Sequence, residues 1–328
     1  MTSFNRRAIV LLGLPPMLSA ILPSPRAEAQ GVYPSRPIHL VVGFTPGAAA
    51  DITARLLGNG MGPILGQQFV IENKPGAGSS IGAEYAARAA NDGYTLLLGS
   101  SANITNQAIN PNLTFDMVKD FAPVALVATA AVVLVVNPAT DVHTVAELIA
   151  LAKKKPGEVF YASTGVGAAP HLAAELFSQR AGIKLVHVPY PGSPQAVADL
   201  IAGRTMMMFS PASAVLGQIN AGKLTVLASA ASKRPSILPD VPTMAEAGMP
   251  DFDTGIWFGL MAPKGTPQAV IDKLAPAVQE AIHAPEAVAT LNKQGFDPLT
   301  GGPGVFRHFI VTELTRWSDV AQAAGLKK

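Results

Sequence analysis

The chain has 328 residues, of which 49% are hydrophobic, and carries 24 basic and 22 acidic side chains; that length suffices for a large core in two lobes. It contains no cysteine, which excludes disulfides, thiolate nucleophiles and cysteine-ligated metals. Residues 1–29 hold Arg6, Arg7, Arg26 and Glu28; without them basic and acidic residues balance, so no basic field remains for nucleic acid or anionic lipid.

The first element reads as a targeting segment. Arg6 and Arg7 open it, an apolar run over residues 8–22 follows, and Ala27-Glu28-Ala29 puts small residues where a signal peptidase cuts. The run is too short, and too broken by Pro15 and Pro16, to span a membrane. Residues 1–29 are therefore expected to be a cleaved signal peptide, and the remainder a soluble periplasmic protein. The arginine pair weakly resembles a twin-arginine signal, but the general secretory route is the expectation. With no cysteine after the segment, a lipoprotein is excluded.

From residue 38 the pattern is strand, turn and helix, repeated. Residues 38–42 are a branched apolar run, read as a buried parallel strand. Phe44-Thr45-Pro46-Gly47 makes a turn, and a helix runs from 48 or 49 to about 65 with Ile52, Leu56, Leu57 and Met61 on one side. A strand at 69–73, a turn at 75–78 and a helix from Ser79 or Ser80 to 90 follow, with Ile81, Tyr85 and Ala89 expected inward. After Asp92-Gly93 comes a third strand, 94–98. Three such units argue an α/β sheet with helices on both faces.

Residues 122–136 cross out of this unit as one or two extended segments. A second α/β unit follows, with helices at 145–154, 171–180, 193–202 and 212–221. Its strands are placed at 159–162, 185–188, 205–209 and 224–229. Residues 252–261 read as the return crossing, and helices at 267–284, 285–294 and 303–324 complete the chain, each with a proline at its start. Two crossings between two lobes make a hinge and a cleft, the geometry of proteins that close around a small ligand. The partition is 30–130 with 255–328 for lobe 1, and 131–254 for lobe 2.

The ordered set of short motifs along this pattern carries a resemblance. It includes Tyr33-Pro34-Ser35-Arg36-Pro37-Ile38, Phe44-Thr45-Pro46-Gly47 with Asp51, and Glu72-Asn73-Lys74-Pro75-Gly76-Ala77-Gly78. Asp92-Gly93-Tyr94-Thr95-Leu96-Leu97, His187-Val188-Pro189-Tyr190, Leu238-Pro239-Asp240-Val241-Pro242-Thr243 and Trp257-Phe258-Gly259-Leu260 continue it. The chain resembles the TctC-like, or Bug, solute-binding receptors of tripartite tricarboxylate transporters. The resemblance implies a two-lobed α/β periplasmic-binding-protein-like fold (type II, Venus flytrap). It also implies capture of a small organic carboxylate for a large and a small membrane subunit, with no cofactor, no metal and no catalysis, by a monomer.

Anion capture needs converging N–H donors near helix starts. The loops over 44–49 and 163–169 each join a strand to a helix, and in the family they face each other across the cleft. The expected ligand contacts are Phe44, Pro46, Gly47, Ala48 and Ala49 on one side, and Ser163, Thr164, Gly165, Gly167 and Ala169 on the other. Asn103 and Thr105 follow the third strand, where open sheets present ligand-facing loops. Tyr190, Ser210 and Trp257 complete the set. Asp51, His171 and Ser213 are expected behind these contacts, Asp51 as a brace for the helix start or its loop.

The family's first loop commonly reads Pro-Gly-Gly; here Ala48 follows Gly47. Ser210-Pro211 stands where an Asp or Asn is frequent, and Ala168-Ala169-Pro170 replaces a serine-rich stretch. A less polar, less acidic pocket disfavours an amino acid and points to a carboxylate with an apolar or aromatic body. A ligand sensor for a membrane signalling partner uses the same closed form and is the alternative. A periplasmic hydrolase built on Ser163 and His171 is a weaker one, since no G-x-S-x-G elbow is present. The histidines show no metal-ligand spacing, and the glycines match neither a dinucleotide fingerprint nor a P-loop.

Overall fold

A computed structural model describes Met1 and residues 33–165, 168–190, 193–252, 254–293, 295–323 and 325–326. The expected signal peptide, Met1 aside, and Gly167 of the expected site lie outside the described residues.

The first sheet is built from β1 (Ile38–Val42), β2 (Phe69–Asn73), β3 (Thr95–Ser100), β4 (Phe121–Ala130), β10 (Ile256–Pro263) and β11 (Phe296–Pro298), in the order β11-β4-β10-β3-β1-β2. The second contains β5 (Val132–Val136), β6 (Val159–Ser163), β7 (Leu185–Pro189), β8 (Met207–Pro211) and β9 (Thr225–Ser229), in the order β7-β6-β8-β5-β9. β1 runs parallel to β2 and β3, and β6 parallel to β7 and β8. Into each parallel set one antiparallel strand is inserted, and in each case it has just arrived from the other sheet. β10 separates β3 from β4, and β5 separates β8 from β9.

The crossings lie side by side. Ala131 alone separates β4 from β5. Ala230, just after β9, donates its N–H to Val132 O at 2.7 Å and accepts the Thr254 N–H at 2.8 Å. β5 is buried along its whole length. Val132, Leu134 and Val136 enter one core cluster while Val133 and Val135 enter another, because successive side chains of a strand point to opposite faces.

Around the first sheet lie α1 (Ala49–Leu65), α2 (Ser80–Ala87), α3 (Ser101–Ile109), α8 (Gln268–His283), α9 (Pro285–Lys293) and α10 (Pro303–Ala323). Around the second lie α4 (Val145–Lys154), α5 (Ala169–Ala181), α6 (Ser193–Ile201) and α7 (Ala212–Asn220). α10 packs on α3, β4 and also α5, so it touches elements of both sheets.

Three expectations change. α1 buries Ala50, Ala54, Leu57, Met61 and Leu65, while Ile52 and Leu56 are only half-buried. α2 ends at Ala87 and turns Ile81 and Tyr85 outward, 51% and 46% exposed. Its inner face is Gly82, Ala83 and Ala86, because the helix passes so close to the first turn that a Cβ on Gly82 would stand 2.9 Å from Gly43 Cα. The displaced Tyr85 ring is instead covered by Lys74 Nζ at 3.9 Å. Finally, the segment after β3 is the helix α3. Asn103 Oδ1 accepts the Ser100 N–H at 2.9 Å there, a side-chain closure of the helix start.

Candidate functional site

A cavity of about 540 Å³ opens between the two sheets. Its walls are largely helix starts. Ala48, Ala49 and Ala50 open α1; Ser101, Ala102 and Thr105 belong to the start of α3; Ala168, Ala169 and Pro170 open α5; Ser193 opens α6; Pro211 caps α7. The starts of α1, α5 and α7 have no side-chain cap. A helix start presents N–H groups without intrahelical partners and the positive end of the helix dipole. Phe44, Ile256 and Phe258 supply the apolar wall, and among the described residues no charged one lines the cavity.

The first loop is held from behind by Asp51, which is itself buried. Its carboxylate accepts the Gly47 N–H at 2.9 Å, Asn73 Nδ2 at 3.0 Å and Arg55 Nε at 3.0 Å. Asn73 Nδ2 also reaches Phe44 O at 3.0 Å. The Arg55 hydrogen bond is the main cause that lowers the Asp51 pKa to about 2, against the opposing effect of burial. Gly47 adopts φ +81°, the left-handed region that favours glycine. The floor beside α3 is pinned by Asn106, whose Nδ2 donates to Ala77 O and Gly78 O at 3.0 and 2.7 Å.

The second loop rests on a polar stack in which Tyr161, Ser163 and His171 are buried and His187 is half-buried. Ser163 Oγ accepts the Gly165 N–H at 3.1 Å and lies 2.6 Å from His187 Nε2. His187 stacks between His171 and Tyr161, with centroids 4.0 and 4.9 Å away. Tyr161 donates its hydroxyl to Glu175 Oε1 at 2.5 Å. Burial lowers the His171 pKa to about 4; burial, then the neighbouring His171, does the same for His187. Both rings are therefore neutral near pH 7.

Of the expected ligand contacts, Phe44, Ala48, Ala49, Thr105, Thr164 and Ala169 line the cavity. Pro46 and Gly47 stand in the turn outside its wall. Asn103 is fully buried and closes α3, its Nδ2 reaching Ser79 O at 3.3 Å. Ser163 is likewise fully buried, and with Gly165 forms the loop's own brace. A nucleophile in that position has no face on the cavity, and its histidine neighbour is His187, not His171. The Tyr190 hydroxyl is tied to Asp199 at 2.8 Å. Ser210 is buried next to the lining residue Pro211, and Ser213 is exposed on α7. Trp257 points to the other side of β10 from Ile256 and Phe258, as alternation along a strand requires. Its Nε1 donates to Glu313 Oε2 at 3.1 Å.

Ser101, Ala102 and Asn106 also line the cavity, on a helix where the sequence pattern predicts a loop. Ser193, which opens α6 after β7, was not expected at the site, although it follows a strand of the second unit like the two loops; Pro211, whose replacement of an Asp or Asn was expected to make the pocket less polar, lines the cavity. Among the described residues no cluster of His, Asp or Glu is arranged to hold a metal, and no helix is long and apolar enough to cross a membrane.

The sequence model of the tripartite tricarboxylate transporter family receptor, TctC, matches residues 53–326. The chain belongs to this family. It is 39% identical over 297 residues to BugT of Bordetella pertussis, covering 90% of this chain and 91% of that one. Two solved structures are similar throughout. Rpa4515 of R. palustris with adipate has TM-score 0.76 and 34% identity, covering 89% of this chain and 98% of its own. MatC from Rhodopseudomonas palustris with bound malate has TM-score 0.72 and 32% identity, covering 88% and 99%. The TctC fold is thus the two-lobed α/β periplasmic-binding-protein fold, and the family is one of transport receptors.

Proposed function

We propose that this TctC receptor captures a small organic carboxylate with an apolar body. It does so in the periplasm, after export, and delivers the ligand to a large and a small membrane subunit. The observation that carries the reading is the cavity lining: several helix starts and hydroxyls, an apolar wall, and no charged side chain among the described residues. Helix starts favour an anion. An ammonium group in the same space would find no carboxylate partner, and burying an unpaired charge is costly. The relatives described with adipate and malate support the carboxylate class. The two lobes correspond to 30–130 with 255–328 and to 131–254, with the hinge at the paired crossings.

The test is a thermal-shift screen with adipate, malate, benzoate, aspartate and glutamate, followed by calorimetry on the best binder. Adipate or benzoate raises the melting temperature and binds at one site per chain without turnover. Preferential stabilisation by aspartate or glutamate overturns the apolar-body assignment. Ala102→Phe, which fills the cavity from α3, abolishes the shift; a shift that survives this substitution places the ligand elsewhere.

A further inference from the structure

Two cleft-facing parts of the second lobe meet at one side chain of an edge strand. β7 lies at the edge of its sheet beside β6, with His187 opposite Tyr161. Side chains alternate along a strand, so Tyr161 and Ser163 share one face of β6, and His187 stands beside both. Its Nε2 lies 2.6 Å from Oγ of Ser163, the residue before Thr164 of the cavity wall. Its ring stacks on His171, the third residue of α5, whose first two residues, Ala169 and Pro170, line the cavity. His171 Nε2 in turn lies 3.8 Å from Glu175 Oε1, the oxygen that accepts the Tyr161 hydroxyl.

Hydrogen-bond arithmetic at Ser163 selects one form of the His187 ring. The neutral ring carries a single N–H, on either nitrogen. A serine hydroxyl has one proton to give and two lone pairs to accept with. Ser163 Oγ accepts the Gly165 N–H and also stands 3.1 Å from Gly165 O. When His187 donates from Nε2, Oγ takes that proton on its second lone pair and gives its own to Gly165 O. Both backbone groups of Gly165 are then closed. When Nε2 is bare, the hydroxyl proton is drawn to it at the shorter distance, and Gly165 O loses its donor. Gly165 has φ +124°, a conformation that glycine adopts freely, so the backbone alone does not hold the loop there.

We propose that His187, with its proton on Nε2, is the positioning residue of the second ligand loop: it orients Ser163, which holds Thr164 and Gly165 where the loop meets the ligand. The proposal rests on the carboxylate reading of the cleft given above. His187 stands behind the cavity wall rather than in it, so it acts on affinity through the loop and not by contact. The same ring supports His171 at the start of α5, so the loop and the helix start that follows it keep their places together.

Two substitutions isolate the contact. Glutamine places an amide nitrogen near the position of Nε2, whereas asparagine places one near Nδ1 and falls short of Ser163. Both lose the ring stack, so the difference between them reads the Ser163 contact. In calorimetry with adipate, His187→Asn is expected to bind at least about tenfold more weakly than the wild type, and His187→Gln to recover to within about threefold. Thermal unfolding without ligand is expected to be lowered alike in both. Nitrogen NMR of the wild-type imidazoles near pH 7, which needs no variant, is expected to show the His187 proton on Nε2. The Gly165 amide is expected to exchange faster in His187→Asn than in His187→Gln. Equal adipate affinities for the two variants overturn the proposal, as does a wild-type proton on Nδ1. A wild-type chain that binds none of the screened carboxylates overturns the function proposed above instead, and the tautomer and the Gly165 exchange still decide whether His187 holds the loop.

Discussion

The imidazole rings of His171 and His187 lie face to face, their centroids 4.0 Å apart and their planes 11° from parallel. Two imidazolium ions so placed would repel each other, and burial opposes each charge independently, although Glu175 partly favours it on His187. The stack therefore holds together as a neutral pair beneath the second ligand loop.

A pH dependence of stability follows from this pair. The folded pKa values, about 4 for each ring, lie below the unfolded value of about 6.5. Between these limits the unfolded chain binds more protons, so stability falls as pH falls from about 6.5 to about 4 and is flat above about 7. His171 accounts for roughly 3 kcal/mol of the loss and the half-buried His187 for less. Melting temperatures across this window check it, with His171→Phe flattening the curve; a wild-type curve that is already flat rejects the neutral pair.

Asp51→Asn is expected to destabilise by about 1–3 kcal/mol near pH 7 in urea titrations. Most of that comes from Gly47 and Asn73, because the Arg55 side chain is 52% exposed and such ion pairs are worth little. The Asp51 pKa is depressed to about 2, so its contribution is present above about pH 4 and is lost as pH falls through about 2. A variant as stable as the wild type near neutrality removes Asp51 as the brace of the first loop.

Two glycines separate strain from clash. Gly47 has φ +81° and open space where a Cβ would go, so Gly47→Ala costs only about 1 kcal/mol of backbone strain. Gly82 sits inside α2, where alanine normally gains about 1 kcal/mol. Its Cβ would meet Gly43 Cα at 2.9 Å and Lys74 O at 3.2 Å, and backbone yields poorly, so Gly82→Ala is expected to be the more destabilising of the two. The reverse order in denaturant midpoints contradicts the close approach of α2 to the first turn.

Glu313→Ala leaves two buried indole N–H groups without their acceptor and Arg316 without its partner. A loss of about 3–5 kcal/mol is expected, together with a shift in tryptophan emission. Glu313→Gln, which keeps an acceptor oxygen, loses less. Equal losses for the two variants would show that the indole hydrogen bonds contribute nothing.

Cleft affinity for a carboxylate is expected to change less than about threefold between low and moderate salt, because among the described residues no charged side chain lines the cavity and buried dipoles are poorly screened. Calorimetry at two ionic strengths measures this. A tenfold or larger loss at the higher one implicates a charged side chain in capture.

The strand–turn–helix order was legible because it rests on local signals: branched apolar runs, glycine turns and prolines at helix starts. Family motifs were legible for the same reason, being short and ordered. α3 escaped because Ser101, Asn103, Thr105 and Asn106 are weak helix formers, and the reciprocal closure of Ser100 and Asn103 appears only once the chain is folded. The inward face of α2 was misjudged because apolar size marked Ile81 and Tyr85, while the space available admitted only Gly82, Ala83 and Ala86.

The sequence by itself determined most of the elements, the two-lobed class and the family, since each depends on residues near one another in the chain. Only the tertiary structure decided which helix starts meet at one cavity, that Ser163 is buried in a histidine stack rather than open to ligand, and that β10 turns Phe258 to the cleft and Trp257 away. Those outcomes depend on β5 and β10 being inserted antiparallel between strands distant in the chain. Pairing of that kind is set by packing across the whole sheet, which no local pattern encodes.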